Sequence, residues 1–281
     1  MNTRQVTEYY EKTIRDYQLL WINDDTLGMH YGYWDNKVTS HSQSLLRLNQ
    51  VVAQKLKLTA KDFVLDAGCG LGGSSFWIAK HIGSRLIGVS ITPDQVKSAK
   101  KYAQKKHLVQ KVDFELADYT KTNFPDNYFD AAFAIETICH LDDKTPFFTE
   151  MSRILKPGGR LVVADFTLLK RNLSQSEQKL MNIWLSGWMV PNIWTREQHL
   201  QSMKKCGFRQ LEAQNYSDKT IPSSKRLFLF SLPGVPLYYL LHKLKLLSNY
   251  RLNDAISCYY QWIAKKRGLW GHFLFYGEKP I

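Results

Sequence analysis

The chain has 281 residues, 44% of them hydrophobic, enough for one large α/β domain with a substantial cap and too much apolar material for a disordered chain. Its net charge of +13 invites an anionic partner, yet the sequence carries no RNA-binding module or zinc finger, so nucleic acid is not expected. Four cysteines, Cys69, Cys139, Cys206 and Cys258, lie far apart with no C-x-x-C spacing, which argues against a metal site or disulfide framework and for a reducing cytoplasm.

Residues 1–25 carry charges throughout and contain no apolar signal segment. A helix is predicted from Val6 to about Ile22, rich in Tyr9, Tyr10, Tyr17 and Trp21. Then comes MHYGYWD, Met29 to Asp35, with Gly28 and Gly32 as breakers. These aromatics either pack a core or face a ligand. A linking helix, Ser42 to Leu56, leads into the stretch FVLDAGCGLGGSS.

There Phe63, Val64 and Leu65 form a short buried strand, Asp66 closes it, and Gly68, Gly70, Gly72 and Gly73 force a tight turn. An apolar-periodic helix follows, about Phe76 to Ile82. A strand–Gly turn–helix lets backbone approach a ligand closely. No Lys-Ser/Thr follows the glycines, which excludes a P-loop, and the acid before the turn suits a ligand bearing positive charge.

Arg85 to Ser90 is predicted as the second strand, followed by a helix with Pro93 in its first turn, where a missing N–H costs nothing. Val112 to Leu116 alternates as a third strand ending at Ala117 and Asp118. Asp130 to Glu136 is the fourth, ending at a carboxylate with His140 four residues on. A helix from about Lys144 to Leu155 precedes the turn Lys156–Arg160 and the strand LVVADF. Alternation of this kind argues for a parallel doubly wound sheet with its ligand at the strands' C-terminal edge.

The second half reads differently. Helices are predicted over Gln175–Trp188 and Thr195–Cys206, the latter with the capping-box spacing of Thr195 and Gln198. Phe208–Tyr216 and HFLFYGEKP read as strands, with a mostly helical insertion, about Ser217 to Arg267, between them. From Lys225 to Ile281 nine Lys/Arg face two acids, Asp254 and Glu278. Lys97, Lys101 and Lys105 share a solvated helix face. The greasy stretch Leu227 to Leu241 is broken by Pro233 and Pro236 and is too short to span a bilayer.

With these motifs in order, LDAGCGLGG resembles the first motif of class I S-adenosylmethionine-dependent methyltransferases, and the resemblance runs from Val6 to Lys279. It looks closest to the small-molecule branch of tocopherol and sterol C-methyltransferases. It implies a seven-stranded Rossmann-like α/β sheet in a single domain: an aromatic cap over 1–60, a cofactor core over 61–170, a substrate cap over 171–270 with an insertion at 217–267, and a last strand over 271–281.

The resemblance also implies S-adenosyl-L-methionine as donor, S-adenosyl-L-homocysteine as product, and no metal. Cofactor contacts carry over to Tyr10, Tyr31, Asp66, Gly68, Gly70, Ser90, Ile91, Gln95, Ala117, Asp118 and Glu136. Ser90 stands where many relatives place a ribose-binding acid, so backbone groups and Gln95 are expected to replace it; Asp118 is expected at the adenine amino group. AIETICH is similar to the sterol C-methyltransferase segment with an acid and a His, making Glu136 and His140 the candidate bases. Alternatively, Glu136 orients neighbouring groups and His140 is a supporting residue. Trp184, Trp188 and Trp194 are candidates for the acceptor pocket.

The expected acceptor is a small apolar molecule, an isoprenoid or prenyl-derived lipid methylated on carbon. The alternative is N- or O-methylation of an aromatic or amine natural product, because one scaffold hosts these chemistries. The basic, apolar segment Arg226–Lys245 adds an expectation of peripheral association with an anionic membrane. Its rival is a cap helix packed on its own domain.

Overall fold

The computed structural model describes residues 3–281. Seven strands form one sheet: β1 (Phe63–Ala67), β2 (Arg85–Ser90), β3 (Val112–Leu116), β4 (Phe129–Ile135), β5 (Leu155–Leu168), β6 (Arg209–Asn215) and β7 (Trp270–Glu278), in the order β3-β2-β1-β4-β5-β7-β6. The first five pair in parallel. β7 runs antiparallel to both β5 and β6, so the sheet is mixed rather than wholly parallel. The strand–helix alternation predicts the parallel, doubly wound part of the sheet, and nothing in the HFLFYGEKP pattern gives the direction of β7.

The pleat of β4 shows how the layers are built. Ala131, Phe133 and Ile135 join the core on one face with Leu48, Val52 and Phe76, from α2 (His41–Lys55) and α3 (Gly73–His81). Ala132 and Ala134 point the other way, toward Phe147, Phe148 and Met151 of α5 (Thr145–Ile154). Between these helices in the chain runs α4 (Pro93–Lys105), beside β2 and β3.

A third aromatic core joins the cap to the sheet. It holds Tyr9 of α1 (Thr3–Leu20), Trp184 of α6 (Gln175–Gly187), Ala264 of α9 (Asn249–Lys266) and Trp270 of β7. Ser174 and Glu177 close a capping box on α6, as do Thr195 and Gln198 on α7 (Arg196–Lys205). Each such cap contributes about 1 kcal/mol.

The insertion folds as α8 (Ile221–Lys243) and α9, and α8 runs unbroken through Pro233 and Pro236. Interior prolines remove backbone hydrogen bonds. Packing on α9, where Phe228 meets the rings of Tyr259 and Trp262 at 5.3 and 6.0 Å, keeps the helix continuous. Among the described residues, no helix is long and apolar enough to cross a membrane.

Candidate active site

One cavity of about 440 Å³ runs from the Gly-rich loop after β1 to the inner side of α8 and α9. It lies at the C-terminal ends of the parallel strands, where such sheets bind ligands. Its walls include Tyr10, Tyr31, Asp66, Gly68, Gly70, Ser90, Ile91, Gln95, Asp118, Glu136 and His140. Of the expected cofactor contacts, Ala117 alone lies outside this lining, and its N–H donates to the Ser90 carbonyl at 3.1 Å.

The loop's geometry explains its glycines. Gly68 has φ +96°, and a Cβ there would stand 2.3 Å from Thr137 Cγ2. Its small size therefore serves the fold. Gly70, at φ +53°, would meet only Met29 Sδ, at 3.5 Å, so its backbone faces open cavity. Asp66 accepts from Ser75 Oγ at 2.7 Å; burial pushes its carboxyl up to about 7, partly opposed by that bond. A buried acid without a cation partner suits a positively charged ligand.

On the next strand, Ser90 Oγ donates to Gln95 Oε1 at 2.8 Å, and Gln95 is buried rather than an exposed helix residue. That bond leaves the Gln95 amide N–H groups for a ligand. Asp118 is exposed and caps its own turn, accepting from Thr120 N at 2.8 Å and Thr120 Oγ1 at 2.7 Å through one oxygen. The acid-lined loop, open backbone at Gly70 and aromatic walls fit a sulfonium cofactor carrying an amino acid and a nucleoside.

Glu136 directly follows β4 with φ +51°, a strained conformation for a residue with a side chain. The Tyr31 backbone N–H reaches both its carboxylate oxygens, at 3.0 and 3.2 Å. Burial, then the nearby Asp165, holds its carboxyl well above the usual carboxylate range; the Tyr31 N–H and Lys265 oppose this. His140 has both nitrogens engaged: Nδ1 donates to the Met189 carbonyl at 2.8 Å, so Nε2 accepts from the Tyr10 hydroxyl at 2.9 Å. Burial lowers its pKa, keeping it neutral.

Of the three tryptophans named as candidates, only Trp188 lines the cavity. Trp184 is fully buried against Trp270, 4.3 Å between rings, and Trp194 lies over Lys144. Tyr17, one of the N-terminal aromatics expected to pack or to face a ligand, is on the cavity wall, as are Phe166 and Asp254, which sequence reasoning passed over. Asp254 Oδ1 accepts from the Tyr9 hydroxyl at 2.6 Å, and burial pushes this acid up to about 7. Its isolation as an acid in a basic, apolar insertion was the available signal.

The family model for a methyltransferase domain matches residues 65–163. The 27-O-demethylrifamycin SV methyltransferase of Amycolatopsis mediterranei is 30% identical over 69% of this chain and 71% of its own. The chain belongs to the class I S-adenosylmethionine-dependent methyltransferases. As such it is an enzyme of small-molecule methylation and takes its methyl group from S-adenosylmethionine. The sterol 24-C-methyltransferase of Saccharomyces cerevisiae is 29% identical over 76% of this methyltransferase, which spans 55% of that protein. The crystal structure of the cyclase SpnF covers 100% of the methyltransferase and 97% of its own chain at a TM-score of 0.80 and 23% identity. That likeness speaks for the fold, and a cyclase on it shows that the fold does not choose the reaction.

Proposed function

We propose that the enzyme methylates carbon on an isoprenoid or prenyl-derived lipid, with Glu136 as the base. The observation that carries this reading is a buried carboxylate on the wall of a cavity whose far end is apolar. Tyr17, Phe166, Trp188, Leu227 and Phe230 line that end. Sterol 24-C-methyltransferase among the relatives supports the same chemistry.

The cofactor supplies a methyl group on a positively charged sulfur. Asp66, the Gly70 backbone, Gln95 and Asp118 would hold it, with Tyr10 and Tyr31 closing the site. The protein's own contribution is alignment and exclusion of water, worth roughly 7–11 kcal/mol for well-oriented partners. Methylating an alkene or an aromatic carbon leaves a cation that must lose a proton. Glu136 takes that proton, and its environment favours holding it. The deciding experiment incubates the enzyme with methyl-labelled donor and a panel of prenyl alcohols and prenylated phenols, then locates the label by NMR. Label on carbon supports the reading, and label on oxygen or nitrogen overturns it.

A second reading, transfer to oxygen or nitrogen, draws on His140 and Asp254. The first is a neutral imidazole on the cavity wall, and the second a carboxyl among apolar residues that would bind a hydroxyl or amine. The 27-O-demethylrifamycin SV methyltransferase among the relatives favours it.

An apolar acceptor also needs a way in. Leu229, Leu232 and Leu240 recur at helical spacing along α8 and are 48–55% exposed. Phe230 and Pro233 of the same helix line the cavity. Lys225 lies before this stripe and Lys243 and Lys245 after it, all exposed. The proposed occupant of this face is an anionic membrane surface, approached from the cytoplasm, with the lysines meeting headgroups.

A further inference from the structure

In a protein of net charge +13, no lysine or arginine lines the cavity among the described residues. Its wall carries acids instead, and one of them, Asp254 of α9, stands apart from the Gly-rich loop and from Glu136. Asp254 is half-buried, facing Tyr9 of α1. Its Oδ1 accepts from the Tyr9 hydroxyl at 2.6 Å, and that hydroxyl lies 3.2 Å from the Tyr17 hydroxyl. Its Oδ2 has no aligned hydrogen-bond partner among the described residues. Beside the same carboxyl stands Trp188, whose buried Nε1–H has no aligned partner either. Buried donors are seldom left unpaired, so a ligand oxygen is the natural complement to this one.

The charges nearby narrow what that ligand group is. Arg251, one turn before Asp254 on α9, has its Nε donating to Asp16 at 2.8 Å, so its charge is already matched. An anionic headgroup would therefore meet carboxyls and no free cation. An ammonium could donate to Oδ2 but has no lone pair for the Trp188 N–H, and an ether has no proton for Oδ2. A hydroxyl does both.

We infer that Asp254, Tyr9 and Trp188 form an anchoring subsite for a free hydroxyl group of the acceptor. The inference rests on the reading of the acceptor as a prenyl-derived lipid and narrows it to neutral alcohols and phenols. The hydroxyl is held while carbon elsewhere on the same molecule is methylated. Burial pushes the Asp254 carboxyl up to about 7, so both its states are present near neutrality. A hydroxyl pairs with either, donating to the carboxylate or accepting from the acid. The other ionisable groups acting around the carboxyl are Asp16, Tyr9, Tyr10 and Tyr17 of α1, with Arg251 and Cys258 of α9.

Four probes with one hydrocarbon chain test this: geraniol, its methyl ether, geranylamine, and geranyl diphosphate with magnesium. Each is titrated by calorimetry into the full-length enzyme saturated with S-adenosylhomocysteine. Geraniol should bind roughly 10- to 100-fold tighter than the ether, the span of a hydrogen bond to a charged group, and tighter than the amine or the diphosphate. In Asp254→Leu the alcohol should bind no better than the ether, while S-adenosylhomocysteine affinity is unchanged. If that variant does not fold, Asp254→Asn decides, because its amide can donate to the ether oxygen and should close the gap to within a few-fold. Equal binding of alcohol and ether by the wild type, or a gap that survives the substitutions, overturns the subsite. Tightest binding of the amine or of the diphosphate overturns it as well. Carbon methylation of prenyl alcohols without an alcohol–ether gap would leave the reaction standing and remove the subsite alone, whereas failure of all four probes to bind overturns the prenyl reading and the subsite with it.

Discussion

Tyr31 and Glu136 are 105 residues apart, yet the Tyr31 backbone N–H is shared between both oxygens of the Glu136 carboxylate, at 3.0 and 3.2 Å. This joins the N-terminal aromatic segment to the end of β4. The Tyr31 hydroxyl is tied in turn to Gln261 of α9 at 3.1 Å, so cap, strand end and insertion are held by one residue. Glu136 therefore has two duties, closing the cap and, as proposed, taking a proton.

Glu136→Gln separates them. The amide oxygen still accepts the Tyr31 N–H, so the cap should stay closed and S-adenosylmethionine affinity should remain within a few-fold of wild type. Turnover should fall roughly 10²–10⁴-fold, the usual worth of a positioned acid–base group. Single-turnover rates beside calorimetric affinities check this. A matching loss of cofactor affinity would make Glu136 a cofactor ligand.

The Gly-rich loop permits a sharper test than its most strained glycine. Gly68→Val would drive Cβ into Thr137 and should destabilise the protein as well as empty the site. Gly70→Ala meets nothing nearer than Met29 Sδ at 3.5 Å, so its cost to the fold is mainly the left-handed backbone, about 1–2 kcal/mol. Its methyl group nevertheless enters the cavity. We expect a modest fall in melting temperature with a large loss of S-adenosylhomocysteine affinity; wild-type affinity would place the cofactor elsewhere. Asp66→Ala should lose affinity with its fold intact.

Asp254 predicts a pH dependence. Its carboxyl titrates near 3.9 in an unfolded chain and at about 7 in the fold, with burial the leading cause. Between those values the folded state binds the extra proton, so this acid's contribution to stability falls as pH rises through the window. Asp254→Asn has no such contribution to lose. The melting temperature of the variant relative to wild type, followed by calorimetry from pH 5 to pH 8, should therefore rise with pH. A constant difference would show that Asp254 titrates normally.

For the membrane face, the informative substitutions are Leu229→Asp with Leu240→Asp, both on the exposed stripe of α8. Phe230, which the sequence would place with Leu229, lines the cavity and belongs to the inner wall. Wild-type enzyme should co-sediment with vesicles containing phosphatidylserine, less so as salt shortens screening to about 8 Å at physiological ionic strength. The double variant should stay in the supernatant while binding cofactor normally. Wild type that does not sediment at low salt refutes membrane docking.

Local chemistry made much of this protein legible before any coordinates. β2 and β3 span Arg85–Ser90 and Val112–Leu116 as predicted, because alternation and flanking turns are short-range signals. The same holds for the Thr195–Gln198 capping box and for the Gly loop behind Asp66, whose geometry is written in adjacent residues. Only the tertiary structure decided that β7 runs antiparallel between β5 and β6, since strand direction depends on partners far along the chain. Packing on α9, not propensity, carries α8 through two prolines. The meeting of Glu136 with His272 and of His272 with Lys265 belongs to the same class: sequence places the first two 136 residues apart, and the pairing of β7 with β5 brings them together.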